Sequence, residues 1–377
     1  MGYGVFDIRM PVGYTENELM KKVEALAGSR EFTYQIEHKS LDARKKGNIS
    51  WQLRLGVLSP AIKGTDRPGE ASLVIPFKKR NGKIFVAGTG PAGFFAAYVL
   101  QKAGFSVTIL ERGKDVGRRA GDIERFEREG LFSETGNYAF GEGGAGTFSD
   151  GKLTSRSKHI SLERRFIIDS YVGAGAPEEI KYLAYPHVGS DNLRKVVRNL
   201  RKDFVSMGGE IRFETRLTDL SVSGGRVKTV ITDAGPEECS SVIIASGHSA
   251  FDTYRMLMAR GVQFRTKNFA LGTRAEHRQQ LINQAQWGVA SLPGVKAAEY
   301  RLTSEGSGNI PVYSFCMCPG GIVVPATAFA DNNIVNGMSL YSRGGPYANA
   351  ACVAGIHPAQ LAGEGVSAYD TLAWLEE

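Results

Sequence analysis

Ile84-Phe85-Val86-Ala87-Gly88-Thr89-Gly90-Pro91-Ala92-Gly93 is the stretch on which the fold turns. The apolar run Ile84–Ala87 has the length and composition of a buried parallel strand. A G-x-G-x-x-G fingerprint follows it and opens a helix running to about Ala103. A lone fingerprint of this kind is weak, but between a buried strand and a helix each glycine has a task. Gly88 permits the tight turn, Gly90 lets the backbone approach a pyrophosphate, and Gly93 lets the helix pack on the sheet. Pro91 and Ala92 lie in the first helical turn, whose free amides and dipole favour the anion. The next strand, Ser106–Leu110, ends in Glu111-Arg112-Gly113. Glu111 lies 18 residues past Gly93, where it is expected to accept hydrogen bonds from an adenosine ribose. An acid there favours an unphosphorylated ribose, hence FAD or NAD rather than NADP.

Working outward, residues 3–11 read as a strand. Thr15-Glu16-Asn17-Glu18 is a capping box for a helix over 16–27, and 32–40 and 49–57 read as a long hairpin. Residues 1–60 are therefore expected to form a small β-α-β-β, ferredoxin-like module, with a Gly/Pro/Lys/Arg-rich linker over 61–82. Residues 83–261 read as a Rossmann-like domain with a central parallel sheet. Helices are expected at 114–129, 161–172 and 191–207, the last with Ser190 as N-cap. Strands are expected at 210–214, 217–222, 227–232 and 242–245. From about 262 the glycines and short strands predict an inserted β-rich substrate domain, over 262–377. The fold class is α/β.

FAD is separated from NAD by the glycine-rich run Phe140–Gly151. A simple NAD dehydrogenase needs no such loop, whereas the longer FAD molecule extends past the first crossover. Backbone amides at Gly144 and Gly146 and the hydroxyls of Thr147 and Ser149 are expected to reach its pyrophosphate, ribitol or ring.

Gly88–Gly93, Leu110–Gly113, Phe140–Leu153, Ile244-Ala245-Ser246-Gly247-His248-Ser249 and Ser314-Phe315-Cys316-Met317-Cys318-Pro319-Gly320-Gly321 together resemble the bacterial FAD-dependent dehydrogenases. These are two-domain flavoproteins of the glutathione-reductase type, and the resemblance runs to about residue 375. It implies an FAD-dependent oxidoreductase passing a hydride through bound flavin, with a small-molecule substrate that the sequence does not name. It also implies adenine-edge contact at or near Leu217, and a role for Ser246-Gly247 beside the cofactor, with Arg112 in the Glu-Arg-Gly turn. No second fingerprint is present, so NADH or NADPH is expected only as a transient electron donor.

Catalytic candidates are fewer and softer. His248 follows the Ser-Gly turn and titrates near neutral pH when unperturbed. Arg274, Glu276 and His277 are candidates to bind an anionic substrate and move a proton, though Arg274 and Glu276 share a strand face and are equally able to pair. Cys316 and Cys318 point the same way on an extended strand, but redox dithiols of the reductases use Cys-x-x-Cys, so buried structural thiols are the preferred reading. Two cysteines do not make a zinc site, and no metal is expected.

Composition bounds the rest. The chain has 377 residues, 42% hydrophobic and 23% charged, which excludes a disordered tail, a collagen or a disulfide-stapled module. Glycine, 46 of 377 residues, is well above the average of roughly 7%, matching ligand-cradling loops. The net charge of +7 sits mainly in residues 1–80, with 14 Lys/Arg against 9 Asp/Glu. The preferred reading is a solvated turn and linker, including Arg44-Lys45-Lys46 and Lys78-Lys79-Arg80. The alternative is RNA contact through the N-terminal module, which would make the chain a flavoprotein acting on tRNA. A non-catalytic FAD- or nucleotide-binding sensor or scaffold is a third reading. No membrane-length apolar run and no secretory signal stand out, and four scattered cysteines fit a cytoplasmic setting. The chain stops inside an apparent helix at 370–377 without a stop signal, so a longer flavoenzyme is expected to continue past it.

Overall fold

The structure, a computed structural model, describes residues 1–357 except 65, 68, 70, 156, 266, 308 and 309. The helix expected at 370–377 lies outside the described residues.

The first module is built from β1 (Gly2–Pro11), α1 (Glu16–Ala27), β2 (Thr33–Asp42) and β3 (Ser50–Ser59). The antiparallel order is β1-β3-β2. The capping box closes in both directions: the Glu18 amide donates to Thr15 Oγ1 at 3.3 Å and the Thr15 amide to Glu18 Oε2 at 2.7 Å. Ile8, Met10, Leu19, Val23, Leu53, Leu55 and Val57 fill the space between helix and sheet. Lys39, one of the basic residues here, has an internal task. Its ammonium lies 4.5 Å from the Trp51 ring centre, and its backbone exchanges hydrogen bonds with Tyr182 and Ala184.

The second body is a parallel sheet in the order β10-β4-β5-β6. It is formed by β4 (Lys83–Ala87), β5 (Ser106–Leu110), β6 (Glu210–Arg212) and β10 (Ser241–Ile244). Alternation along β4 sends Ile84 and Val86 to one face and Phe85 and Ala87 to the other. The first face is covered by α2 (Pro91–Lys102), α4 (Ser161–Gly173) and α5 (Ser190–Ser206). The second meets an antiparallel ribbon, β7 (Leu217–Ser223), β8 (Arg226–Thr232) and β9 (Gly235–Glu238), with α6 (Phe251–Ala259). α3 (Val116–Glu129) is capped by Asp115, which accepts from the Gly117 and Arg118 amides. One expected cap is corrected: Ser190 is the first residue inside α5, and the cap is Gly189 with φ 77°. A Cβ there would stand 2.2 Å from the Tyr341 amide nitrogen, so a close crossing decided that position.

The remaining body is a four-stranded antiparallel sheet, β11-β16-β13-β12, beside the hairpin β14-β15. The strands are β11 (Phe269–Arg278), β12 (Thr303–Ser304), β13 (Val312–Cys318), β14 (Ile322–Pro325), β15 (Val335–Met338) and β16 (Tyr347–Ile356), and α7 (Gln279–Trp287) follows β11. β9, α6 and α7 were not anticipated from sequence. α6 and α7 have nine residues each, too short for a 3.6-residue period to stand out from neighbouring apolar runs. Among the described residues no helix is long and apolar enough to cross a membrane.

Candidate functional site

A cleft of about 390 Å³ opens at the carboxyl ends of β4, β5 and β10, the edge at which doubly wound sheets place their ligands. Gly88, Gly90, Pro91, Ala92, Glu111, Arg112, Gly144, Gly146, Leu217, Ser246, Gly247 and His248 line it, all anticipated from sequence. The glycines of the fingerprint divide by cause. At Gly88, φ is +107° and a Cβ would lie 2.4 Å from the Ala245 carbonyl oxygen; at Gly93 it would lie 2.1 Å from that of Gly88. Both are dictated by the fold. At Gly90 the nearest atom to a Cβ is Gly144 Cα at 3.9 Å, so nothing in the chain requires a bare backbone there.

Two features suit a phosphate-bearing cofactor. α2 has no side chain capping its N-terminus, which leaves first-turn amides facing the cleft mouth. Ser246 Oγ is buried without a hydrogen-bond partner, an arrangement that costs free energy unless a ligand completes it. The residues present therefore fit a dinucleotide such as FAD.

Glu111 departs from its expected task. Its side chain is 5% exposed, and both carboxylate oxygens are engaged. Oε2 accepts from the Thr89 amide at 2.9 Å and the Thr89 hydroxyl at 2.5 Å, and Oε1 from the amides of Gly113 at 2.8 Å and Gly141 at 3.1 Å. A carboxylate has about four lone-pair directions, so Glu111 is occupied as a brace between three loops rather than free for a ribose. The physical reason is that three buried backbone amides at this crossing have no other acceptor.

Thr147 and Ser149 also depart from expectation. The Thr147 hydroxyl donates to the Glu142 carbonyl at 3.0 Å, and that of Ser149 to the Gly146 carbonyl at 2.7 Å. Both residues line a smaller, separate cavity of about 130 Å³ between α2 and α5. Short hydroxyl side chains in a tight 3-10 turn meet their own backbone first.

Arg119, which sequence reading passed over, organises the glycine-rich loop. Its fully buried guanidinium donates to the carbonyls of Asn137, Tyr138, Glu142 and Gly144 at 2.8–2.9 Å. Burial pulls its pKa down to about 10, against the pull of Glu111 and Glu142. Arg112 pairs with Asp252 at 2.9 Å and stacks 4.2 Å from the centre of the Phe140 ring. Arg216, also at the cleft, reaches the same Asp252 at 3.5 Å.

The remaining catalytic candidates are not in this cleft, with His248 the exception. Arg274 lies on β11 and donates to Asn349 Oδ1 at 2.6 Å, the Cys316 carbonyl at 3.1 Å and Asn336 Oδ1 at 3.3 Å. These partners, not Glu276, hold it. His277 points elsewhere, its ring 5.5 Å from that of Tyr300, and burial lowers its pKa. Cys316 and Cys318 gather beside Arg274 rather than at the cofactor cleft. The reason in each case is register: β11 and β13 both pair with β16, which places these side chains in the antiparallel sheet.

A buried carboxylate joins this sheet to the glycine-rich loop. Asp150, 1% exposed, accepts from Ser339, from Arg343 Nε at 3.1 Å and Nη2 at 2.5 Å, and from Lys152 at 2.5 Å. Burial would raise its pKa, but Arg343 and Lys152 hold the carboxyl well below the usual range.

Comparison with known proteins agrees with this architecture. A profile described as NAD(P)-binding Rossmann-like domain matches residues 86–148, one described as FAD dependent oxidoreductase matches 156–306, and one described as FAD-dependent protein, C-terminal domain-like, matches 268–376. An uncharacterized protein of Clostridium beijerinckii is 37% identical over 380 residues, spanning 96% of this chain and 71% of that protein. The chain belongs to the FAD-dependent oxidoreductase family. Among solved structures, FqzB is similar at 14% identity over 80% of this chain and 61% of that one, with a TM-score of 0.38. THI4 of Thermovibrio ammonificans is similar at 17% identity over 48% and 64%, with a TM-score of 0.33. The chain thus spans less than two thirds of either structure.

Proposed function

We propose that this family member binds FAD in the cleft at the ends of β4, β5 and β10 and acts as a dehydrogenase on a small-molecule substrate. The observation that carries the reading is one cleft lined both by the uncapped N-terminus of α2 and by Ser246, whose buried hydroxyl has no partner. Bound FAD would supply the acceptor for a hydride equivalent, with NADH or NADPH as a transient donor. The amides after Gly90 and the Arg112 guanidinium balance the charge of a pyrophosphate. Leu217 offers an apolar wall for the adenine, Gly144 and Gly146 bring bare backbone to the cofactor, and Ser246 donates its hydroxyl to it. His248, at the cleft wall, is the side chain placed to hold or move a proton.

The test is FAD binding to the purified chain and to Gly90→Ala. Gly90 has φ −60° and ψ 170°, allowed for any residue, so the variant should fold with wild-type stability. Its FAD affinity should fall at least about tenfold, the equivalent of roughly 1.4 kcal/mol. A wild-type chain that binds no FAD, or equal affinity in the variant, overturns the reading.

A further inference from the structure

The geometry points to a second reactive centre on the antiparallel sheet: we propose that Cys316 and Cys318 form a nucleophile-and-resolver dithiol that exchanges with small disulfides. This does not rest on the flavin reading, because the electrons come from the thiols themselves.

Three observations carry it. The two cysteines are free, and they differ in access: Cys316 is half-buried, whereas Cys318 is 0% exposed. An outer attacker and an inner resolver are what sequential exchange requires. The pair is also brought together by a backbone irregularity. β13 loses register with β16 between Phe315 and Cys318, and Cys316 takes a φ of +44°, a left-handed conformation rare outside glycine. Such strain is concentrated at functional positions. The Arg274 guanidinium holds the bulge through the Cys316 carbonyl at 3.1 Å, and the Cys318 thiol leans on the same carbonyl at 3.4 Å. Finally, two cations stand near the pair: Lys152, anchored by Asp150 and the Met317 carbonyl, and Arg274, bonded to the Cys316 carbonyl.

The chemistry follows from this arrangement. The neighbouring Cys318 thiol, and then Lys152 and Arg274, lower the Cys316 pKa against burial and Asp150. The Cys316 sulfur beside it and burial push the Cys318 thiol up. Cys316, the more exposed of the two and the one whose pKa is lowered, is the attacking thiol. Its sulfur attacks one sulfur of a disulfide R–S–S–R, forming Cys316–S–S–R and expelling RS⁻. The expelled RS⁻ takes the proton of Cys318, whose sulfur then attacks Cys316 Sγ and expels the second RS⁻. Two electrons pass to the substrate, which leaves as two thiols, and a Cys316–Cys318 disulfide remains. A metal is a poorer reading of the pair, since among the described residues no group of three His, Cys, Asp or Glu gathers there.

The experiment treats the reduced full chain with glutathione disulfide, blocks free thiols by alkylation, and weighs tryptic peptides without reduction. Residues 302–343 form one tryptic peptide holding Cys316 and Cys318, and Cys352 falls in the next. In the wild type, peptide 302–343 should lose the mass of two hydrogens and escape alkylation. Cys318→Ser and Cys318→Ala should instead trap glutathione on Cys316, and Cys316→Ser should do neither. Cys352→Ser should leave these results unchanged. Two alkylated thiols in the wild-type peptide, or no adduct in either Cys318 variant, overturn the proposal. The wild-type arm needs no substitution, and none of the readouts requires bound FAD.

Discussion

Gly90 and Gly93 lie within one helical turn and answer to different constraints. A methyl on Gly93 would meet the Gly88 carbonyl at 2.1 Å, backbone against backbone, with no side chain able to give way. Gly93→Ala should therefore lower stability by roughly 2–3 kcal/mol, read as a denaturant midpoint without FAD. Gly90→Ala should stay within about 0.5 kcal/mol of wild type in the same measurement. The fingerprint assigned the two glycines different tasks, and the distances show that only Gly93 is required by the chain's own packing.

At the scale of elements, the glycine-rich loop is held largely by one side chain from a neighbouring helix. Arg119 on α3 satisfies four loop carbonyls from a position with no solvent access. An ammonium keeps the charge but has neither the planar fork nor the reach for four divergent carbonyls. Arg119→Lys should thus destabilise the protein by about 3–5 kcal/mol and weaken FAD binding with it, measured by thermal unfolding and by titration. Unchanged stability would mean that the loop holds its own shape. Glu111, the residue after β5, acts in the same way, which explains why a residue placed by spacing for a ribose is engaged as an internal brace.

For the whole molecule, the decisive contact is the buried polar group joining the parallel-sheet body to the antiparallel sheet. His187 lies within it, 3% exposed, with Nε2 3.1 Å from the Tyr341 carbonyl. Burial, then the nearby Arg343, pushes its pKa down to about 4. The unfolded chain, with a value near 6.5, binds more protons between these limits. Stability from this group is complete above about pH 6.5, declines as pH falls through the window, and is gone by about pH 4. The loss is at most about 3 kcal/mol. His187→Gln should flatten the change in melting temperature between pH 7 and pH 5, and a slope equal to wild type would show that another group titrates there. Asp150 contributes lower down, because its carboxyl is held charged well below the usual range.

The sequence by itself determined the parallel-sheet body and most of the residues that line the cleft at its edge. Strand, glycine turn, helix and second strand are contiguous, so their local hydrophobic pattern and turn chemistry carry the information. The same holds for the capped helix and hairpin of the first module. Tertiary structure alone decided what happens between distant segments. It turned Glu111 inward and gave α5 a glycine cap forced by the crossing at Tyr341. It placed Arg119 under the loop, and it separated Arg274, His277 and the two cysteines from the cleft. The longest of these pairings join donors and acceptors 30 to nearly 200 residues apart in the chain. No local pattern encodes that pairing, because burial and partner choice are properties of the packed molecule.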